Sequence, residues 1–280
     1  MEWFEKADML LQGGYAGVRE GLATEIYPDG RQETAKPCAP TRGRGGHGVL
    51  FHALATDDAD GLEKSRLLED FVYNVMQIHD GAYRGMLRWT DAAWGVCYQD
   101  DAARAMLVTL FRALYGQGRE HLADCRSALE FLLNTTGPDG LRPARTDLLN
   151  MTPEDFRKLG TENADFPCAH YNAFYLGCLL LYGKLTGDER CLTVGECGMR
   201  SIWRAYPHTV REQSETEELC RCCCRRRGCT TPPARPRTKP CCTPLCTIWK
   251  KCATHRADIW NGTATIPPPA AVRTAASARC

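Results

Sequence analysis

The sequence predicts an all-α protein built from helical hairpins, with a small β-hairpin near its N-terminus. Three observations carry this expectation. Long segments repeat apolar residues at helical spacing. The turns between successive segments are too short for anything but antiparallel neighbours. One hairpin also pairs a helix that is apolar on nearly every side with a more amphipathic one, the pattern of an inner helix and its outer partner.

The opening, "MEWFEKADMLL", mixes acids and a lysine with its apolar residues, so it reads as an amphipathic helix rather than a signal peptide. Residues 13–32 follow, "GGYAGVREGLATEIYPDGRQ". Val18, Leu22 and Ile26 and the turn signal Pro28-Asp29-Gly30 predict a short β-hairpin that decorates a loop. In residues 60–76, Leu67, Leu68, Phe71, Val72, Val75 and Met76 recur at helical spacing. Residues 100–116 repeat the pattern with Ala103, Met106, Leu107, Leu110, Phe111 and Leu114. That helix starts on two aspartates, which suit the positive end of its dipole, and stops at Gly116.

The helix over 119–137 closes a hairpin with it. A short helix is expected at 152–160, where Thr152 is the N-cap, Pro153 the first helical residue and Asp155 an approximate capping box. Residues 170–207 form a second hairpin around a tight Thr-Gly-Asp turn. The turns "LYGQGREHL" (114–122) and "LTGDERCL" (185–192) are weakly alike, as repeated hairpins would be. Long connections at 79–99 and 134–169 are where function is expected, because loops of this length in a compact domain usually carry it.

The chain of 280 residues suffices for one large domain or two ordinary ones, and its net charge of +1 supplies no electrostatic reason for a nucleic acid or anionic membrane partner. Its longest apolar run, residues 173–183, is well short of the roughly 20 residues that span a bilayer. Seven cysteines precede residue 220, most of them inside apolar helical patterns where a thiol is a small hydrophobe. That usage predicts a reduced, cytoplasmic protein.

Two stretches concentrate chemistry. Residues 88–107, "RWTDAAWGVCYQDDAARAML", bring Trp89, Trp94 and Tyr98 close to Asp91, Asp100, Asp101 and Arg104. Aromatic rings that stack on sugar faces beside carboxylates that bond hydroxyls are the parts of a carbohydrate pocket. The same residues also fit a structural role, the tryptophans as core and the aspartates as helix caps. Residues 162–174, "ENADFPCAHYNAF", set Glu162, Asp165, His170, Tyr171 and Asn172 at the mouth of an apolar helix. His170 suits general acid or base work by its titration range, and equally a buried structural histidine.

Residues 88–107, the segment "HYNAFYLGCLLLYGKLTGDERCL" and the opening "GVREGLATEIYPDGRQ" resemble bacterial proteins of the six-hairpin glycosidase type. The resemblance covers residues 1–221, with a gap near 36–52. It implies an (α/α)6 toroid of inner and outer helices whose loops form a sugar-binding cleft at one end, without a cofactor or metal. Glycosidases need two carboxyl groups across the scissile bond. Asp100 and Asp101, at a helix N-terminus, suit base or hydroxyl-anchoring work. The general acid falls among Glu20, Glu162 and Asp165, Glu20 being otherwise a sugar contact. Hydrolysis is the first expectation; a sugar epimerase or isomerase using histidines, or a non-catalytic sugar-binding protein, are the alternatives.

The remaining ten cysteines lie from Cys220 onward, in a tail rich in Cys, Arg and Pro with hardly any helical periodicity over 222–280. A zinc site could pair Cys224 and Cys229 with Cys242 and Cys246, but no clean C-x2-C pair recurs. A disulfide knot would need an export signal. The third reading is a reading-frame change: codons for "CCCRRRGCTTPPAR" (222–235), shifted by one base, can encode "LLLPPAGLHDTPA", a leucine-rich helix and turn. "APTRGRGGHGVLF" (39–51) shifts likewise to an apolar helix start. On that reading the barrel lacks a helix start near residue 43 and every hairpin after 221. Its inner helices would then be exposed and prone to aggregation.

Overall fold

The computed structural model describes residues 10–19, 24–26, 32–34, 40–41, 46–90 and 93–226, with side chains over 10–18, 46–90 and 93–221. All lie within the compact unit Met1–Thr230. Among the described residues the protein is mostly helical, with eight α-helices and three two-stranded antiparallel ribbons.

The expected hairpin forms as β2 (Thr24–Ile26) against β3 (Gln32–Thr34), with Glu25 opposite Glu33. Val18, expected in the same hairpin, instead sits in β1 (Val18–Arg19), which pairs with β4 (Pro40–Thr41). Val18 packs with Leu10, Val49 and Leu68, so this second ribbon is fastened to the first two helices. The helix expected over the first residues lies outside the described residues apart from its end, where Leu11–Gly14 form a 3-10 turn.

Helix α1 (Gly46–Thr56) begins inside the segment that a changed reading frame was expected to spoil. Val49, Leu50 and Ala53 supply a buried stripe, enough for a helix despite Gly46 and Gly48. Helix α2 (Ala59–Phe71) packs on α1 and widens into a π-turn over Val72–Met76. The wide turn shifts the apolar face: Met76 and Gln77 turn inward, and Val75, expected in the core stripe, is 47% exposed.

Helix α3 (Gln99–Leu114) follows directly from β5 (Val96–Tyr98), and α4 (Leu122–Asn134) packs on it after a short turn. Helix α5 (Pro153–Thr161) has the capping box that its sequence announces: Thr152 and Asp155 bond each other's backbone N–H. Helices α6 (Ala169–Thr186) and α7 (Glu189–Ala205) form the second hairpin, joined through Gly187 in the left-handed region and capped by Asp188, which accepts the N–H of Cys191.

Helix α6 is buried around its circumference, packing on α3, α7 and α8 (Glu215–Arg226). Leu176 and Leu179 are fully buried there, and each such side chain contributes about 1.5–3 kcal/mol relative to exposure. Helix α7 buries only Cys191, Gly195, Gly198 and Ile202, the face of an outer partner. Helix α8 crosses the expected boundary at residue 221. The cysteine-rich tail beyond Arg226 lies outside the described residues. No helix among them is long and apolar enough to cross a membrane.

Candidate functional site

The two long connections meet through a ribbon that sequence periodicity did not announce. Strand β5 pairs antiparallel with β6 (Arg145–Asp147), Tyr98 lying opposite Arg145. Arg145 Nη1 donates to the Tyr98 hydroxyl at 3.1 Å, and the Trp89 N–H donates to the Val96 carbonyl at 2.6 Å. The ribbon therefore holds Trp89 and Tyr98 beside the first turn of α3.

That first turn carries Asp100 and Asp101, both nearly buried. Buried carboxylates need partners, and Arg104 one turn on serves both: its Nη2 is 3.2 Å from Asp100 Oδ2 and its Nη1 3.2 Å from Asp101 Oδ1. The Arg104 guanidinium lies over the Phe174 ring of α6 at 4.8 Å. His170, in the first turn of α6, presents Nε2 to Asp100 Oδ2 at 3.9 Å and Nδ1 to Glu217 Oε1 at 2.8 Å. Arg221 grips the same Glu217 oxygen through Nε and Nη2, at 2.8 and 2.7 Å.

An aromatic surface lies alongside. Trp89 meets Tyr98 edge-on at 4.8 Å between centroids, Tyr98 stacks with Tyr171 at 6.2 Å, and Tyr171 touches the His170 ring at 4.7 Å. Burial, with a hydrogen bond to Glu212, pushes the Tyr171 hydroxyl above its ordinary range, so it stays a neutral donor. Trp89, Tyr98 and Asp101 line a small recess of about 10 Å³ with Arg88 and the apolar Met76 and Leu87. It has room for about one water molecule, so a sugar would lie across its mouth rather than inside it.

Of the residues singled out in the sequence, Trp89, Tyr98, Asp100, Asp101, Arg104, His170 and Tyr171 thus come together. Trp94 is 41% exposed, under the Arg88 guanidinium at 4.5 Å. Asn172 is fully buried, and its amide is spent on the backbone of Arg142, Phe166 and Cys168. It shapes the loops rather than facing a cleft. Glu162 and Asp165 are exposed, and Asp165 donates its backbone N–H to Asp139. Neither makes a hydrogen bond or ion pair with Asp100, Asp101 or His170. Glu20 and Asp91 lie outside the described residues.

The residues sequence reasoning missed are on α8. Glu217 and Arg221 complete the charged cluster, and Glu218, 1% exposed, accepts the backbone N–H groups of Ala169 and His170. Their signal was the capping pattern Ser214-x-x-Glu217, in which the Ser214 hydroxyl accepts the Glu217 N–H at 3.1 Å.

The buried thiols are not poised to react: burial pushes Cys97 up to about 11 and Cys168 and Cys191 up to about 12. No group of three or more His, Cys, Asp and Glu among the described residues is arranged to hold a metal ion. No protein-family model, curated protein or solved structure matches the chain.

Proposed function

We propose that the chain is a carbohydrate-active protein of the six-hairpin glycosidase type, acting as a glycoside hydrolase on a sugar held where β5, α3, α6 and α8 meet. In this reading the two hairpins are an arc of an (α/α)6 toroid, with α3 and α6 inside and α4 and α7 outside. The observation that carries it is the Asp100–Asp101 pair, bridged by Arg104 and set against the Trp89–Tyr98–Tyr171 surface. Carboxylates at this place accept hydroxyl hydrogen bonds, the N-terminus of α3 and Arg104 offset their charge, and the rings offer flat apolar faces to a sugar.

One observation favours a second reading, a sugar epimerase or isomerase. His170 is held at one ring nitrogen by Glu217 and faces the carboxylate cluster with the other, an arrangement suited to proton transfer. Assays of the purified chain on glycosides and on free sugars separate the two. Release of reducing sugar, lost in Asp101→Asn, supports hydrolysis; interconversion of a free sugar, lost in His170→Gln, supports the epimerase. Sugar binding that survives Asp101→Asn, with no turnover in the parent, makes the protein a binding module and overturns both.

A further inference from the structure

Glu217 makes a specific arrangement around His170. Its Oε1 takes the His170 Nδ1 contact at 2.8 Å and both Arg221 contacts, while its Oε2 is enclosed without a hydrogen-bond partner. Arg221 Nη1 also donates to the His170 carbonyl at 3.2 Å, and Glu218 holds the His170 N–H at 2.9 Å. The imidazole is thereby fixed at its backbone and at one ring nitrogen by a single helix. The other ring nitrogen, Nε2, looks across 3.9 Å to Asp100 Oδ2, too far for a hydrogen bond between them. A water oxygen roughly 2.8 Å from both atoms would subtend an angle of about 90° there, close enough to the angle between a water's two O–H bonds for it to donate to both.

We infer that Glu217 is a positioning residue that fixes His170 as the Nδ1–H tautomer, leaving Nε2 as the proton acceptor for a water whose second O–H is held by Asp100. This deepens the carbohydrate reading and rests on it for the reaction that the water enters. In the transfer the O–H bond breaks, its electron pair stays on oxygen, and the proton forms the Nε2–H bond. The imidazolium charge is offset by Glu217, which Arg221 keeps in place. Among the described residues, the charged groups around the ring include Asp100, Asp101 and Arg104 on α3 and Glu217, Glu218 and Arg221 on α8, with the Tyr171 hydroxyl on its own helix.

The test is long-range nitrogen–proton NMR of the full chain labelled at histidine, with the His170 signals assigned by their loss in His170→Gln. The neutral His170 ring is expected as the Nδ1–H tautomer in the parent. It should switch to Nε2–H in Glu217→Leu and return to Nδ1–H in Glu217→Gln, whose carbonyl still accepts. A residue that merely packs would leave the tautomer unmoved. An Nε2–H tautomer in the parent, or Nδ1–H retained in a folded Glu217→Leu, overturns the inference. The parent spectrum alone decides if the leucine variant does not fold. Because no substrate enters the measurement, its failure counts against the Glu217–His170 pair. An intact tautomer with no sugar bound or turned over counts instead against the carbohydrate reading.

Discussion

Glu218 closes the N-terminus of α6 from another helix: its carboxylate accepts the backbone N–H of His170 at 2.9 Å and that of Ala169 beside it. A helix start leaves its first N–H groups without intrahelical partners, and a side chain usually supplies them from the residue just before. Here Cys168 precedes the helix and makes no such cap, so the acid comes from α8, 48 residues after His170. Glu218→Ala is expected to destabilise the fold by about 2–3 kcal/mol, the cost of a buried cap with charged hydrogen bonds. The exposed Glu215→Ala on the same helix should stay within about 0.5 kcal/mol of the parent. Urea unfolding followed by circular dichroism measures both.

Arg142 is fully buried and bonds no carboxylate. Its guanidinium donates to the Thr135 carbonyl and hydroxyl and to Gln99 Oε1, linking the end of α4 to the start of α3. Burial alone holds its pKa below the ordinary arginine range. Arg142→Ala leaves a cavity and unpaired groups at Gln99 and Thr135, and an expected loss of about 3 kcal/mol or more in the same unfolding experiment. A loss under about 1 kcal/mol would contradict this role.

His121 bridges Asp70 at 2.8 Å and Asp124 at 2.9 Å, stacked on Tyr73. Burial works against the charged ring, but the two carboxylates outweigh it and hold the pKa above 6.5. A raised folded-state pKa contributes stability that is complete below the unfolded value and fades as pH rises through the folded value. Stability should therefore fall across a window beginning near pH 6.5 and extending above it. That slope should be absent in His121→Gln, as denaturant midpoints at a series of pH values would show.

Gly140 and Gly198 touch backbone to backbone, Gly140 in the left-handed region, where the loop after α4 lies against α7. A Cβ on Gly198 would collide with the Gly140 carbonyl. Gly198→Ala, worth up to about 1 kcal/mol in helix propensity, is nonetheless expected to lower the melting temperature, because backbone cannot yield as a flexible side chain can.

The parts of this fold that local chemistry decides were legible. The Thr152–Asp155 box sets α5, the two aspartates start α3, and the contrast between α6 and α7 marks inner and outer helices. What escaped was decided by distant pairing. Strands β5 and β6 are three residues each and gain their partners only across the chain. Helix α8 was hidden by the cysteine run that overlaps it, though Ser214 and Glu217 mark its start. Similarly, Glu162 and Asp165 were singled out because they precede His170 in sequence, whereas its carboxylate partner lies 47 residues later.

The proposed carbohydrate site is tested most directly by calorimetric titration of the full chain with a panel of neutral and acidic disaccharides. Saturable binding of at least one sugar is expected, weakened about tenfold in Tyr98→Ala and Tyr171→Ala, the loss of about 1.4 kcal/mol that one aromatic face supplies. No binding across the panel, or binding that both folded variants retain in full, would contradict the assignment of this site to a sugar.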